Sequence, residues 1–354
     1  MSAYQKRTFD LMDGTGTVVV ADSSHAPSAR SKAPVFVVGC PRSGTTLLYH
    51  MLLSAGNFVV YRSESQVFNL LGPRFGNLGS RRSKRKLLAA WQDSPLFAKT
   101  GLDARQIEQE VMAKCQNPGD FLRVVMELMA RQQGVERWAE CTPEHLLFLE
   151  RIKETIPDAI VIHIIRDGRD VALSLAKQNW IRPFLWDRGG SLHAAALYWE
   201  WIVRRGRENG QRLGPDYLEV HFEDLVGHPR ATLARLGAFV GQVLDRDHIE
   251  EVGIGSVSTP NSSFKSEADS GQFRPVERWK QTLAGDRLME LEGLVGETLV
   301  ELGYARAASP LKDARLARLA RKRALYQCYF DAKWTLKNKT PLGRLFVTRD
   351  LSWV

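Results

Sequence analysis

The sequence predicts a three-layer α/β fold in which a central, mostly parallel sheet is flanked by helices. Three observations lead there. Short apolar runs, among them VFVV at 35–38 and AIVIHII at 159–165, read as buried strands. Segments with apolar residues at helical spacing alternate with them, which argues for a parallel sheet covered on both faces. A turn dense in glycine and hydroxyl residues joins the first strand directly to its helix.

The elements follow in order. Residues 1–33 are polar and rich in small side chains, the composition of a poorly ordered lead-in. The strand at 35–38 is followed, after the turn, by Leu47, Leu48, Met51 and Leu52 on one helical face. A second strand is expected just before Glu64. The segment 71–135 is mostly helical by pattern, and its run Arg81-Arg82-Ser83-Lys84-Arg85-Lys86 reads as a solvated helix face. RWAEC at 137–141 is a short, weak strand. AIVIHII is a strong one, with the helical VALSLAKQ behind it. YLEVHF at 217–222 leads to a helix from Pro229 to about Val240. The stretch 253–272 has the glycine and serine content of a long loop.

Composition narrows the function. The chain has 354 residues, 44 % apolar and 25 % charged, enough to build a core without a staple. Its four cysteines, Cys40, Cys115, Cys141 and Cys328, form no CxxC pair. That pattern disfavours zinc-ribbon and thioredoxin chemistry and suits a reducing compartment. No run of about 18 apolar residues is present, and no basic stretch precedes an apolar one at the start. A cytoplasmic location is expected. The net charge of +9 is concentrated in residues 301–354, where twelve Lys and Arg stand against four Asp and Glu. The rest is nearly neutral, so no nucleic-acid partner is expected. In the tail, Leu316, Leu319 and Ala320 share a helical face, with Arg315, Arg318, Lys322 and Arg323 over much of the remainder. Such a helix either packs its leucines on the domain or lies on an anionic membrane surface.

The glycine turn reads Gly39-Cys40-Pro41-Arg42-Ser43-Gly44-Thr45-Thr46. Between a strand and a helix, such a loop turns several backbone N–H groups towards one anion, and the helix N-terminus adds positive potential. Arg42, Ser43, Thr45 and Thr46 add side-chain donors, and Arg42 offers a planar fork. The lysine that follows the second glycine in nucleotide hydrolases is replaced by Thr45, and no apolar strand ends in a magnesium-binding aspartate. Ordinary ATP or GTP hydrolysis is therefore disfavoured. A second anion site is suggested by IHIIRDGRDVALSL, in which Arg166 follows a strand and Ser174 lies eight residues on.

Together, CPRSGTTLL and IIRDGRDVALSL resemble the donor-binding signatures of the sulfotransferase superfamily, in motif style nearest to its bacterial and tyrosylprotein groups. RWAECTPEH, VHFEDLVGHPRATLARLGAFVG and GQFRPVERWKQTL extend the likeness over about residues 34–300. The resemblance implies a P-loop nucleotide-binding domain at 34–300 and a basic, largely helical extension at 301–354. It implies 3′-phosphoadenosine 5′-phosphosulfate as donor, without a metal, and transfer of its sulfuryl group to a hydroxyl or amine of an unidentified acceptor. By the same likeness Pro41, Arg42, Ser43, Gly44, Thr45 and Thr46 hold the 5′-phosphosulfate. Arg166 and Ser174 hold the 3′-phosphate, joined by Arg274. Glu64 is the candidate general base, and Arg42 the cation at the transferring group.

Weaker candidates for the base are His50, in the middle of the helix after the turn, His163, in a buried strand where a satisfied core histidine is the blander reading, and His145, which after Pro143 could face the cleft. The family usually writes Glu-Lys-Thr-Pro where this chain has Glu140-Cys141-Thr142-Pro143. Cys141 cannot supply the lysine's charge, so Arg42 acts alone or Arg274 or Lys280 substitutes. The alternative readings are a nucleotide-binding protein with impaired catalysis and a P-loop kinase. Among the aromatics at 180–201, Trp180 and Trp186 are candidates to line the acceptor pocket, beside Arg182 and Arg188.

Overall fold

The computed structural model describes residues 30–187, 190–256, 275–309 and 311–340. Among the described residues, β1 (Val35–Gly39), β2 (Ala139–Glu140), β3 (Ile160–Ile165) and β4 (Tyr217–His221) form one parallel sheet in the order β2-β1-β3-β4. Strand periodicity divides the side chains between two cores. Val35, Val37, Ile160, Ile162 and Ile164 pack with Leu48 and Leu52 of α1 (Thr45–Ser54). Phe36, Val38, Val161 and Ile165 face the opposite way, towards Val171, Leu175 and Trp199. Helices therefore cover both faces, as the sequence pattern predicts.

Between β1 and β2 lies a helical block: α2 (Arg81–Gln92), α3 (Ala104–Lys114) and α4 (Pro118–Gln133). Local chemistry sets its ends. Ser80 caps α2 by accepting from Ser83 N. Asn117 and Asp120 form a reciprocal capping box at α4, and Gly134 closes it in a left-handed conformation. The basic run on α2 is mostly solvated, except Lys84, which is buried and donates to Met112 O at 2.9 Å. After β3 come α5 (Gly168–Gln178) and α6 (Gly190–Gln211). After β4 come α7 (Pro229–Val240), α8 (Gly285–Glu301) and α9 (Asp313–Lys339).

Three expectations need correction. RWAEC contributes only Ala139 and Glu140 to the sheet. The strand expected before Glu64 is not formed, and a single parallel bridge, Phe58 to Arg137, stands in its place. On α9 the buried residues are Leu319, Tyr326 and Phe330, while Leu316 and Ala320 are exposed. The buried aromatic pair extends the packing beyond the leucines. The basic side chains anchor the helix: Arg323 grips buried Glu200 through two bonds of 2.8 and 2.9 Å. Lys322 pairs with Asp187 at 2.5 Å, and Arg315 and Arg318 pair with Glu290.

His163 shows how β3 is tied to β4. It is fully buried and registers opposite Glu219. Its Nδ1 lies 2.6 Å from the Tyr217 hydroxyl, which in turn donates to Glu219 Oε1 at 3.0 Å. Nδ1 must then carry the proton, leaving Nε2 buried without a partner. Burial first, then Arg207 and His221, hold its pKa down to about 3. The unfolded chain therefore binds a proton that the folded chain does not between about pH 6.5 and 3, and stability falls as pH drops through that window. Thermal melts from pH 7 to 5 should show a loss approaching ~1.4 kcal/mol per unit below pH 6. The His163→Gln variant should lose that slope.

Candidate functional site

The turn after β1 opens at the carboxyl edge of the sheet. Arg42 and Gly44 both adopt left-handed φ, 75° and 96°. At Gly44 a Cβ would lie 2.3 Å from the Phe222 ring, so both the conformation and the space require glycine. Gly44 is the N-cap of α1 and supplies no side-chain cap, which leaves the first amides of the helix open to an anion. Ser43 is buried and its Oγ has no hydrogen-bond partner. Thr45 is buried, Thr46 exposed, and Pro41 half-buried at the entrance.

The second cradle is adjacent because β1 and β3 pair directly, Gly39 opposite Ile164. Arg166 leaves the end of β3 almost wholly buried. It donates to Arg42 O at 3.2 Å and Pro275 O at 2.5 Å, lies 3.6 Å from Asp170, and covers the Phe222 ring at 4.4 Å. Its Nε is buried and unpartnered. Ser174, on the second turn of α5, accepts from Arg42 Nε at 3.0 Å. That bond joins the two cradles. The neighbouring Arg169 is structural: it grips Asp167 and Glu292 and stacks on Trp279 at 3.7 Å.

The electrostatics favour an anion. Burial, then Arg166, then Arg278 lower the pKa of Arg42. Burial also lowers that of Arg166, with Asp170 and Glu223 opposing and Arg278 adding to the depression. Three guanidinium groups thus converge on one crevice. The unpartnered Ser43 Oγ and Arg166 Nε add hydrogen-bonding capacity that the protein leaves unused, each normally worth ~1–3 kcal/mol when buried. A ligand with phosphate or sulfonate at two ends fits that set.

The facing wall comes from residues 64–69 and 140–145. Glu140 sits at the end of β2 with 1 % exposure. It accepts from Ser65 Oγ at 2.7 Å, Thr142 Oγ1 at 2.5 Å and His145 Nδ1 at 2.9 Å. His145 Nε2 accepts from Phe68 N. His145 is therefore a core clamp, not a cleft group, because the Glu140 carboxylate draws its ring inward. Gln66, at φ 55°, precedes a π-helical turn, Val67–Leu71, a feature frequent at functional sites. Its amide donates to Glu64, which is exposed. Glu64 also lies within electrostatic reach of Cys141.

Cys141 is buried. Desolvation, Glu140 and Glu64 push its thiol well above the ordinary range, and a bond with Thr45 opposes them. It stays neutral beside the loop. His50 packs against Gly255. Trp180 is 55 % exposed and its ring lies 5.8 Å from the Arg42 guanidinium. Trp199 and Trp201 are core residues, with Trp199 Nε1 donating to Arg166 O. Lys280 forms an exposed ion pair with Glu277 at 2.5 Å. Arg188 and Arg274 lie outside the described residues.

A model described as the sulfotransferase family matches residues 34–246, more than half of the chain. The chain belongs to the sulfotransferase family. Nodulation protein NoeE of Sinorhizobium fredii is 23 % identical over 332 residues, which cover 84 % of this chain and 73 % of the relative. Protein-tyrosine sulfotransferase A of Caenorhabditis elegans is 25 % identical over 291 residues, covering 79 % and 70 %. Among solved structures, the sulfotransferase domain from the curacin biosynthetic pathway aligns with a TM-score of 0.49 at 13 % identity. It covers 77 % of this chain and 98 % of that one.

Within this sulfotransferase-family chain, the sequence reading missed Arg278, Glu140 and Glu144. Glu144 accepts from Asn69 Nδ2 at 3.2 Å and Tyr198 OH at 3.3 Å, tying the 64–69 segment to α6. Its neighbour Pro143 was the only local signal. Arg278 stands next to Trp279, whose backbone N–H donates to Asp170 at 2.8 Å and so fixes the approach. The Arg278→Ala variant is expected to bind adenosine 3′,5′-bisphosphate about tenfold more weakly, read by calorimetry. Unchanged affinity would remove Arg278 from the site.

Proposed function

We propose that this chain transfers a sulfuryl group from 3′-phosphoadenosine 5′-phosphosulfate to a hydroxyl or amine acceptor. The observation that carries the reading is the direct bond between Arg42 of the first cradle and Ser174 of the second. The donor supplies an activated sulfonate, whose sulfur forms a bond to the acceptor as the bisphosphate departs. The loop amides, Ser43, Thr45, Thr46 and Arg42 would bind and orient the 5′ end. Arg166 and Ser174 would hold the 3′-phosphate, with Arg274 as a third group. Arg42 and Arg278 would balance the charge that grows on the departing oxygen, a role for preorganised cations in a dry site. Glu64 would take the acceptor's proton. None of these residues forms a metal cluster among the described residues.

The donor assignment draws further support from the sulfotransferase-family match over residues 34–246. A second reading, a nucleotide-binding protein with impaired catalysis, is favoured by the neutral Cys141 thiol at the position of the family lysine. Calorimetric titration with adenosine 3′,5′-bisphosphate, against Mg-ATP, tests the donor class. Metal-independent binding of the bisphosphate is expected. Binding of Mg-ATP alone would give the lead to a kinase. Labelled-sulfate transfer to a panel of sugars, phenols, lipids and peptides then separates catalysis from binding alone.

A further inference from the structure

The loop from Asn179 to Asp187 and the outer face of α9 together expose an apolar surface ringed by cations. Leu185 is fully exposed and Trp186 is 57 % exposed. Phe184 links them to α9: its ring stacks on Trp186 at 5.1 Å and meets Tyr326 at 4.6 Å and Tyr329 at 5.0 Å. Leu325 and Tyr329, four residues apart on that helix, are also exposed. Lys333 Nζ lies 5.8 Å from the Tyr329 ring. A patch of this kind marks an interaction site.

Charge decides its partner. Arg315, Arg318, Lys322 and Arg323 are taken up by Asp187, Glu200, Glu290 and Glu297. Arg182, Arg321 and Lys333 are exposed, and none has an acidic partner among the described residues. Three such cations around Leu, Trp and Tyr side chains match an anionic lipid surface, where aromatic and aliphatic groups enter the interface and Lys and Arg meet the headgroups. No described helix is long and apolar enough to cross a membrane, so contact would be peripheral.

We propose that Leu185, Trp186, Leu325 and Tyr329 dock on an anionic lipid bilayer, steered by Arg182, Arg321 and Lys333. The face differs from the one the sequence suggested, because the Leu319 side of α9 is spent on the domain. Trp180 on the same loop stands over Arg42, so the bilayer lies beside the cleft. On the sulfotransferase reading, the acceptor is then an amphiphile whose hydroxyl or amine sits at headgroup level.

The test is co-sedimentation of the whole protein with phosphatidylcholine vesicles, with and without phosphatidylserine. Binding is expected only with phosphatidylserine, and it should weaken as salt rises. The Leu185→Ser/Trp186→Ser pair and the Arg321→Glu/Lys333→Glu pair should each lower partitioning by about tenfold or more. Melting temperature and bisphosphate affinity should match the wild type in both, since these side chains are exposed and outside the nucleotide site. Failure to sediment, equal sedimentation with both vesicles, or variants that bind like the wild type would overturn the proposal. The donor reading would survive each of those results, because bisphosphate affinity is measured separately.

Discussion

The Arg42→Ala variant should bind adenosine 3′,5′-bisphosphate about 100-fold more weakly, while the ligand-free protein melts at the same temperature or slightly higher. The two effects have one cause. Arg42 is depressed by its own burial and by two like charges, Arg166 and Arg278. Arg166 has Asp170 at 3.6 Å, whereas the polar partner of the Arg42 guanidinium is a neutral hydroxyl, Ser174. The free protein thus holds unfavourable repulsion that a bound dianion relieves. Removing Arg42 lifts the repulsion and also removes a charge-assisted fork, typically worth ~1.5–3 kcal/mol. The Arg42→Lys variant keeps the charge without the fork and should recover only part of the affinity. Calorimetry and thermal melts read both quantities. A variant that binds as the wild type does would end the assignment of the first cradle.

The parts of this picture that were legible in the sequence are those set by local chemistry. A β-branched run, a glycine turn and an apolar helix at 35–52 specify strand, loop and helix within themselves, and IHIIRDGRDVALSL does the same. Both units took the expected form, and the family likeness that rested on them holds. What stayed hidden depends on partners distant in the chain. His145 is held in the core between Glu140, five residues before it, and the Phe68 amide, 77 residues away, and the second of these is invisible locally. The weak strand at 137–141 contracts to two residues because the chain then turns to wrap Thr142 and Ser65 around Glu140. Arg278 was invisible for a similar reason. Its neighbours in sequence, Glu277 and Lys280, pair with each other, while Trp279 is fixed by Asp170, over 100 residues away.

The Glu64→Gln variant should lose about 10²–10⁴-fold in kcat while its affinity for the bisphosphate stays within twofold, as expected when a general base is removed. Glu64 is held by the Gln66 amide on a segment that Glu140 clamps through Ser65. It lies within electrostatic reach of the neutral Cys141, whose thiol interacts with Thr45 of the glycine loop. The carboxylate is thus close to the loop but outside its cationic group, so its loss should leave ligand holding intact. It is exposed to solvent, so an acceptor hydroxyl can reach it. The amide keeps the shape and hydrogen bonding of the side chain while losing its basicity, so a change in kcat without a change in binding isolates proton transfer. A variant that turns over at the wild-type rate would remove Glu64 as the base. A wild type that binds the bisphosphate and transfers nothing to any acceptor in the panel would instead favour the impaired reading, with Cys141 as its physical cause.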